Sequence, residues 1–169
     1  PNRSVATNII GTSNVVLTCM KYEVKLIYLS TDYVYPGTDG NYNEDDYLKP
    51  FTKYGWSKLG GECAVKLYDN HLILRMSMNK RPFPHPKALV DMKKSLMYID
   101  DASKVVLKLL DEKGTINIGG KSQSVYDFVK DTNPDTGKIY LDDIDDVNMA
   151  KDCSMNTSKM KKLLNDTII

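Results

Sequence analysis

Two short apolar runs dominate the reading of this sequence. "VKLIYL" (24–29) and "HLILRMS" (71–77) are rich in branched and aromatic residues, and both are too short for a helix that buries itself all round. Such continuous runs suit strands covered on both faces, as in parallel sheets. Between them "FTKYGWSKLGGECAVKLY" (51–68) has helical character, with Thr52 placed as an N-cap. A strand, a helical crossover and a second strand make a βαβ unit, which commits the chain to an α/β fold with a parallel sheet.

The flanks extend that reading. "VATNIIGTSNVVLTCM" (5–20) brings Val5, Ile9, Val16 and Met20 near one helical face, and Gly11 in its middle suggests close packing there. Residues 36–50 are punctuated by Pro36, Gly37, Gly40, Asn41, Asn43 and Pro50, a loop. After Ser77 comes an irregular basic tract with three prolines, in which Lys80, Arg81, Lys87, Lys93 and Lys94 face only Asp91. Order returns as a short strand and a helix from about Asp100, then Gly114. A strand "TINIGG", a short helix capped by Ser122 or Ser124, a strand "KIYLDD" and a last helix capped by Asn156 or Thr157 follow. The expected fold class is α/β, with a parallel sheet begun in residues 1–77 and a smaller α/β region over 78–169.

Composition excludes several functions. A net charge of +1 gives no field to gather nucleic acid or an anionic membrane, and no apolar stretch is long enough to span a bilayer. Cys19, Cys63 and Cys153 are scattered, which argues for reduced thiols in a cytoplasm-like compartment and against a disulfide framework or zinc site. His85 lies between prolines with no second histidine nearby, and the acidic run "DDIDD" (142–146) reads as a solvated turn, so no metal is expected.

The chemistry concentrates at residues 30–58. Thr31 follows the first apolar run, at the strand end where open α/β sheets bind ligands. Tyr54 and Lys58 lie one helical turn apart on one face. A phenol can pass a proton to a carbonyl oxygen if its pKa falls from about 10 toward neutrality, and a nearby ammonium favours that fall. A strand-end hydroxyl can bind the oxygen where charge develops. A Tyr-x-x-x-Lys spacing alone is weak in a chain with eleven tyrosines. Its order after strand, Ser-Thr and loop makes it more informative.

That order resembles the extended short-chain dehydrogenase/reductase superfamily, most closely its dTDP-4-dehydrorhamnose reductases. "STDYVYPG", "YNEDD", "KPFTKYGWSKLGGE" and "LILRMS" carry the likeness, with "NIIGTSN" matching an Asn-x-x-Gly-Thr-x-Asn helix and "MYIDDASKVVLKLL", "INIGG" and "MNTSKMKKLL" matching later elements. The resemblance implies that residues 1–77 are the C-terminal portion of a Rossmann-like parallel sheet and 78–169 a small α/β substrate-binding annex, and it implies a catalytic Thr31, Tyr54 and Lys58. It implies a cofactor, NADPH or NADH, touched by Tyr54, Lys58, Ser30, Met76, Ser77 and Asn8. It implies a nucleotide-sugar substrate met by Thr31, Asp32 and Tyr33, to which the basic Lys80 and Arg81 are added for the diphosphate. The implied reaction is reduction of a nucleotide-linked 4-keto-6-deoxysugar in rhamnose-type synthesis. An NAD-dependent epimerase or dehydratase is the second enzymatic reading, disfavoured because Tyr33 stands after Asp32 where dehydratases carry Glu. The third is a non-catalytic regulatory subunit, as in the beta subunit of methionine adenosyltransferase. The family's GxxGxxG loop is absent from these residues; "NIGGKSQS" (117–124) does not fit its spacing. The expected partners are accordingly a homodimer mate or an N-terminal half supplying that loop.

Overall fold

A computed structural model describes residues 2–144 and 149–166. The chain opens with one helical rod: α1 (Asn2–Ser4), a π-helical stretch over Val5–Gly11, and α2 (Thr12–Tyr22). Glu23, in the left-handed region at φ 55°, ends it, and its amide bonds back to Met20. β1 (Leu26–Thr31) runs into a 3-10 turn over Asp32–Val34, then the long loop, then α3 (Lys53–Val65) and β2 (His71–Met76).

The tract expected to be irregular contributes three small strands, β3 (Met78–Asn79), β4 (Lys87–Leu89) and β5 (Lys93–Lys94), and the short strand expected after it is β6 (Met97–Tyr98). β3 pairs with β6 about 20 residues on, while β4 and β5 pair with β9 and β8 further along the chain, so local pattern could not announce them. α4 (Ile99–Lys108), β7 (Gly114–Ile118), β8 (Gln123–Ser124), α5 (Val125–Val129), β9 (Gly137–Ile139) and α6 (Ser158–Asp166) follow. The "KIYLDD" strand is shorter than expected, turning into a 3-10 turn at Leu141.

β1, β2 and β7 form a parallel sheet in that order, with Thr31 beside Met76 and Met76 beside Ile118. The α/β expectation holds. The third strand comes from beyond residue 77, so the sheet draws on both sides of that point in the sequence. Alternation sends Leu26, Tyr28 and Ile73 toward Val16 and Val65 on one face. Leu72, Leu74, Met76, Ile116 and Ile118 pack with Ala102, Leu109 and Met160 on the other. A third cluster, including Phe83, Leu89, Met92, Val125 and Val129, holds the small strands against α5. β1 pairs only with β2 among the described residues, and Leu29 on it is 49% exposed.

Close helix–helix approach falls at Gly61 of α3, not at Gly11. A Cβ on Gly61 would collide with the Tyr28 hydroxyl and lie 2.6 Å from the Asn8 carbonyl oxygen, whereas one on Gly11 would meet only Ala6 of its own rod, at 3.3 Å. The π-helical stretch carries that Asn8 carbonyl into the space a side chain would need.

Candidate active site

α3 starts where Thr52 accepts a hydrogen bond from the Gly55 amide at 2.9 Å, the cap its sequence suggests. Gly55 lets the Tyr33 carbonyl pass so closely that any Cβ would collide with it, which brings the start of α3 onto the end of β1. Tyr54 on the first turn is half exposed. Its ring meets Tyr33 edge-on at 6.5 Å between centroids, and Tyr33 in turn packs on Phe51 at 5.1 Å.

Thr31 is the last residue of β1. Its hydroxyl donates to Asp32 Oδ1 at 3.1 Å and accepts from the Tyr33 amide at 3.3 Å. Asp32 is buried, and its Oδ2 is met at 2.9 Å by Nζ of Lys94, reaching in from β5. The Lys94 ammonium also lies 4.1 Å from the Tyr33 ring centroid. Lys58 lies one turn after Tyr54 on α3. Its ammonium lies over the Tyr28 ring at 4.1 Å, and its backbone carbonyl accepts from the Tyr28 hydroxyl at 3.1 Å. Asn8 reaches the same helix, donating from Nδ2 to Ser57 Oγ at 2.9 Å, while Ser57 donates to the Tyr54 carbonyl at 2.8 Å.

These neighbours set the electrostatics. Burial pushes the Tyr54 phenol above its usual value and the Asp32 charge adds to that, while Lys94 pulls the other way. Lys94 is the cation that opposes the rise. Burial lowers the Lys58 pKa against the pull of Glu62. For Lys94 burial acts downward, but the Asp32 charge, helped by Tyr33, outweighs it and holds the ammonium above the ordinary lysine value.

Ser30 and Ser77 end up buried at the carboxyl ends of β1 and β2, and their hydroxyl oxygens have no hydrogen-bond partner among the described residues. Met76 packs into the core cluster beneath. Lys80 is exposed. Arg81 turns away to Asp100 and Asp101 at the start of α4, at 3.1 and 3.0 Å, and stacks over Tyr98. The basic residues that line the adjoining cavity, of about 600 Å³, are Lys87 and Lys94; Tyr33, Phe83, His85 and Met92 are among its other walls. Sequence reading named the tract that supplies Lys94 without singling out that residue, and it did not see Ser57. Among the described residues no three metal-ligating side chains cluster; residues 145–146 of the acidic run lie outside them.

The arrangement is a strand-end hydroxyl, a helix-borne phenol and a buried ion pair at the carboxyl edge of a parallel sheet. The sequence profile of the RmlD substrate binding domain matches residues 1–79. That segment resembles the RmlD family over 79 of the 169 residues. The expected likeness to nucleotide-sugar reductases of the short-chain dehydrogenase/reductase type is thus borne out. The chain is 45% identical over 80 residues to the probable low-salt glycan biosynthesis reductase Agl14 of Haloferax volcanii, covering 45% of this chain and 27% of that protein. It is 40% identical over 67 residues to the dTDP-4-dehydrorhamnose reductase of Mycolicibacterium smegmatis, covering 38% of this chain and 20% of that one. It is 37% identical over 65 residues to methionine adenosyltransferase 2 subunit beta of Bos taurus, again 38% and 20%. The fold matches the crystal structure of dTDP-4-dehydrorhamnose reductase from Bacillus anthracis in complex with NADP with a TM-score of 0.79 at 24% identity, over 94% of this chain and 65% of that one. The RmlD-like chain therefore spans about a fifth to a quarter of these curated relatives in sequence.

Proposed function

We propose that the protein carrying this chain reduces a nucleotide-linked 4-keto-6-deoxysugar with NADPH or NADH. The observation that carries this reading is the convergence of Thr31, Tyr54 and the Asp32–Lys94 pair at the carboxyl edge of the sheet, beside a cavity of sugar-nucleotide size. The orphaned hydroxyls of Ser30 and Ser77 fit a polar ligand lying across the ends of β1 and β2, where a nicotinamide cofactor would rest. When bound, that cofactor supplies a hydride to the carbonyl carbon. Tyr54 gives a proton to the carbonyl oxygen, leaving a hydroxyl on the sugar. The Thr31 hydroxyl binds that oxygen as charge develops on it. Lys58 would reach the cofactor ribose on leaving the Tyr28 ring, and Lys87 supplies positive charge on the substrate side. In this reading residues 1–77 hold the cofactor end and residues 78–169 close over the sugar, with β7 returning to complete the sheet.

The test is turnover of dTDP- and UDP-linked 4-keto-6-deoxysugars with NADPH or NADH by the intact protein, native and Tyr54→Phe. Deleting only the hydroxyl should cut kcat by about 10²- to 10⁴-fold with the fold retained. Undiminished turnover in the variant removes Tyr54 as the donor. A second reading, a non-catalytic binding subunit, draws on the likeness to methionine adenosyltransferase 2 subunit beta and on the raised pKa of the Tyr54 phenol. A protein that binds NADPH yet turns over none of these sugars would favour it.

A further inference from the structure

β5 is only two residues long, yet it is fixed from both sides. It pairs antiparallel with β8, Lys93 opposite Ser124 and Lys94 opposite Gln123. The Lys93 amide also donates to the Lys151 carbonyl at 2.8 Å, and the Lys93 carbonyl accepts from the Cys153 amide at 3.0 Å. Successive strand residues point to opposite faces, so this pinning turns Lys93 to solvent and Lys94 inward. The inward side chain is 12% exposed and its partner Asp32 2% exposed. An ionised carboxylate so placed needs a compensating charge. Asp32 follows Thr31 directly, and Tyr33 follows it, so the same pair sits under both groups that would meet the substrate carbonyl.

We propose that Lys94 is a positioning residue for the proton donor: it neutralises Asp32 and holds an ammonium against the Tyr33 ring whose edge abuts Tyr54. The proposal rests on the reductase reading for its purpose, but its physical content concerns Tyr54 alone. The titratable groups facing this cluster are Asp32, Tyr33 and Lys94 around Tyr54, with Tyr28 behind it, and Cys153 beside the Asp32–Lys94 pair. Of these, Lys94 is the cation that favours phenolate at Tyr54. Without it Asp32 would stand uncompensated and resist the developing charge.

The experiment is an NMR titration of the chain labelled with carbon-13 at the tyrosine ζ position, with the Tyr54 signal assigned by its loss in Tyr54→Phe. Lys94→Met should raise the Tyr54 midpoint by about half a pH unit to one unit, the low end of what a lost neighbouring charge does because the phenol is half exposed. Lys94→Arg, which keeps the charge, should restore the native midpoint. Should the Met variant not fold, Lys94→Gln keeps a donor for Asp32 while deleting the charge, and the same upward shift is expected of it. A folded Met or Gln variant with a native Tyr54 midpoint overturns the proposal and leaves Lys94 a structural residue, whose loss lowers stability without moving the phenol. Because no substrate or cofactor enters the measurement, its outcome is independent of whether the reductase assay succeeds.

Discussion

Arg75 and Glu62 form a two-pronged ion pair with neither side chain exposed: Nε meets Oε1 at 3.1 Å and Nη2 meets Oε2 at 2.9 Å. The remaining donor, Nη1, reaches the Tyr35 hydroxyl at 2.8 Å and the Glu44 carbonyl at 2.9 Å. Tyr35 donates on to Asn117 of β7, whose amide meets the Glu44 carboxylate. One guanidinium thereby ties β2, α3, the long loop and β7 together. Removing one partner of such a pair strands a buried charge. Glu62→Gln is expected to lose about 3–5 kcal/mol in urea denaturation. Replacing both residues by apolar ones should cost less than the single change; a double variant weaker than Glu62→Gln would show that the pair itself supplies the stability.

Alkali should weaken the fold progressively. Burial raises Cys153 from 9.0 to about 12, with Asp32 adding and Lys94 opposing. Burial likewise raises Tyr28 and Tyr35 from 10.0 to about 12. Between the ordinary and the raised values the unfolded chain has released protons that the folded chain keeps. Stability is therefore full below the ordinary values and falls as pH climbs toward 12. Denaturation at a series of pH values should show the decline beginning near pH 9. Cys153→Ala should remove its earliest part, and Tyr35→Phe should flatten it above pH 10. A flat profile in the native chain would contradict the burial of these groups.

Gly61 admits no side chain. Gly61→Ala would drive a methyl group into the Tyr28 hydroxyl and the Asn8 carbonyl, and a loss of about 1–3 kcal/mol is expected. Gly11→Ala, by contrast, should be neutral or stabilising, since helix propensity favours alanine by up to about 1 kcal/mol. Thermal melts of the two variants should move in different directions or by clearly different amounts.

Arg81 is held by Asp100 and Asp101 on an exposed surface, its side chain 45% exposed. Such pairs contribute about 0–1 kcal/mol. Arg81→Ala should leave stability nearly unchanged and, because the guanidinium is already engaged, should alter nucleotide-sugar affinity less than Lys87→Ala does. Calorimetric titration of the two variants separates these roles.

The contrast between Arg81 and Lys94 shows how far the sequence could be read. Helix starts at Thr52 and Ser124 are local chemistry, a hydroxyl three residues before an amide, and they stand in the fold where the sequence places them. The order of β1, α3, β2 and β7 follows from periodicity in the same way. Which lysine or arginine of a basic tract turns inward depends on strand pairings with residues about 30 and 60 positions away, Gln123 and Cys153 among them. No local pattern encodes that. The same holds for Arg75, which reads as the charged end of an apolar run and proves to be buried whole, because its partner Glu62 faces it from the preceding helix.

The π-helical stretch at Val5–Gly11 gives the opening rod one residue of slack. A π turn holds an extra residue relative to an α turn. A deletion of one residue there would let the rod relax into continuous α-helix, with the residues on either side near their present angular phase but the widened turn that carries Asn8 closed up. Asn8 would then leave Ser57, and with it the thread that runs through Ser57 to the Tyr54 backbone would part. Length in this segment, more than residue type, is what the helix cannot give up.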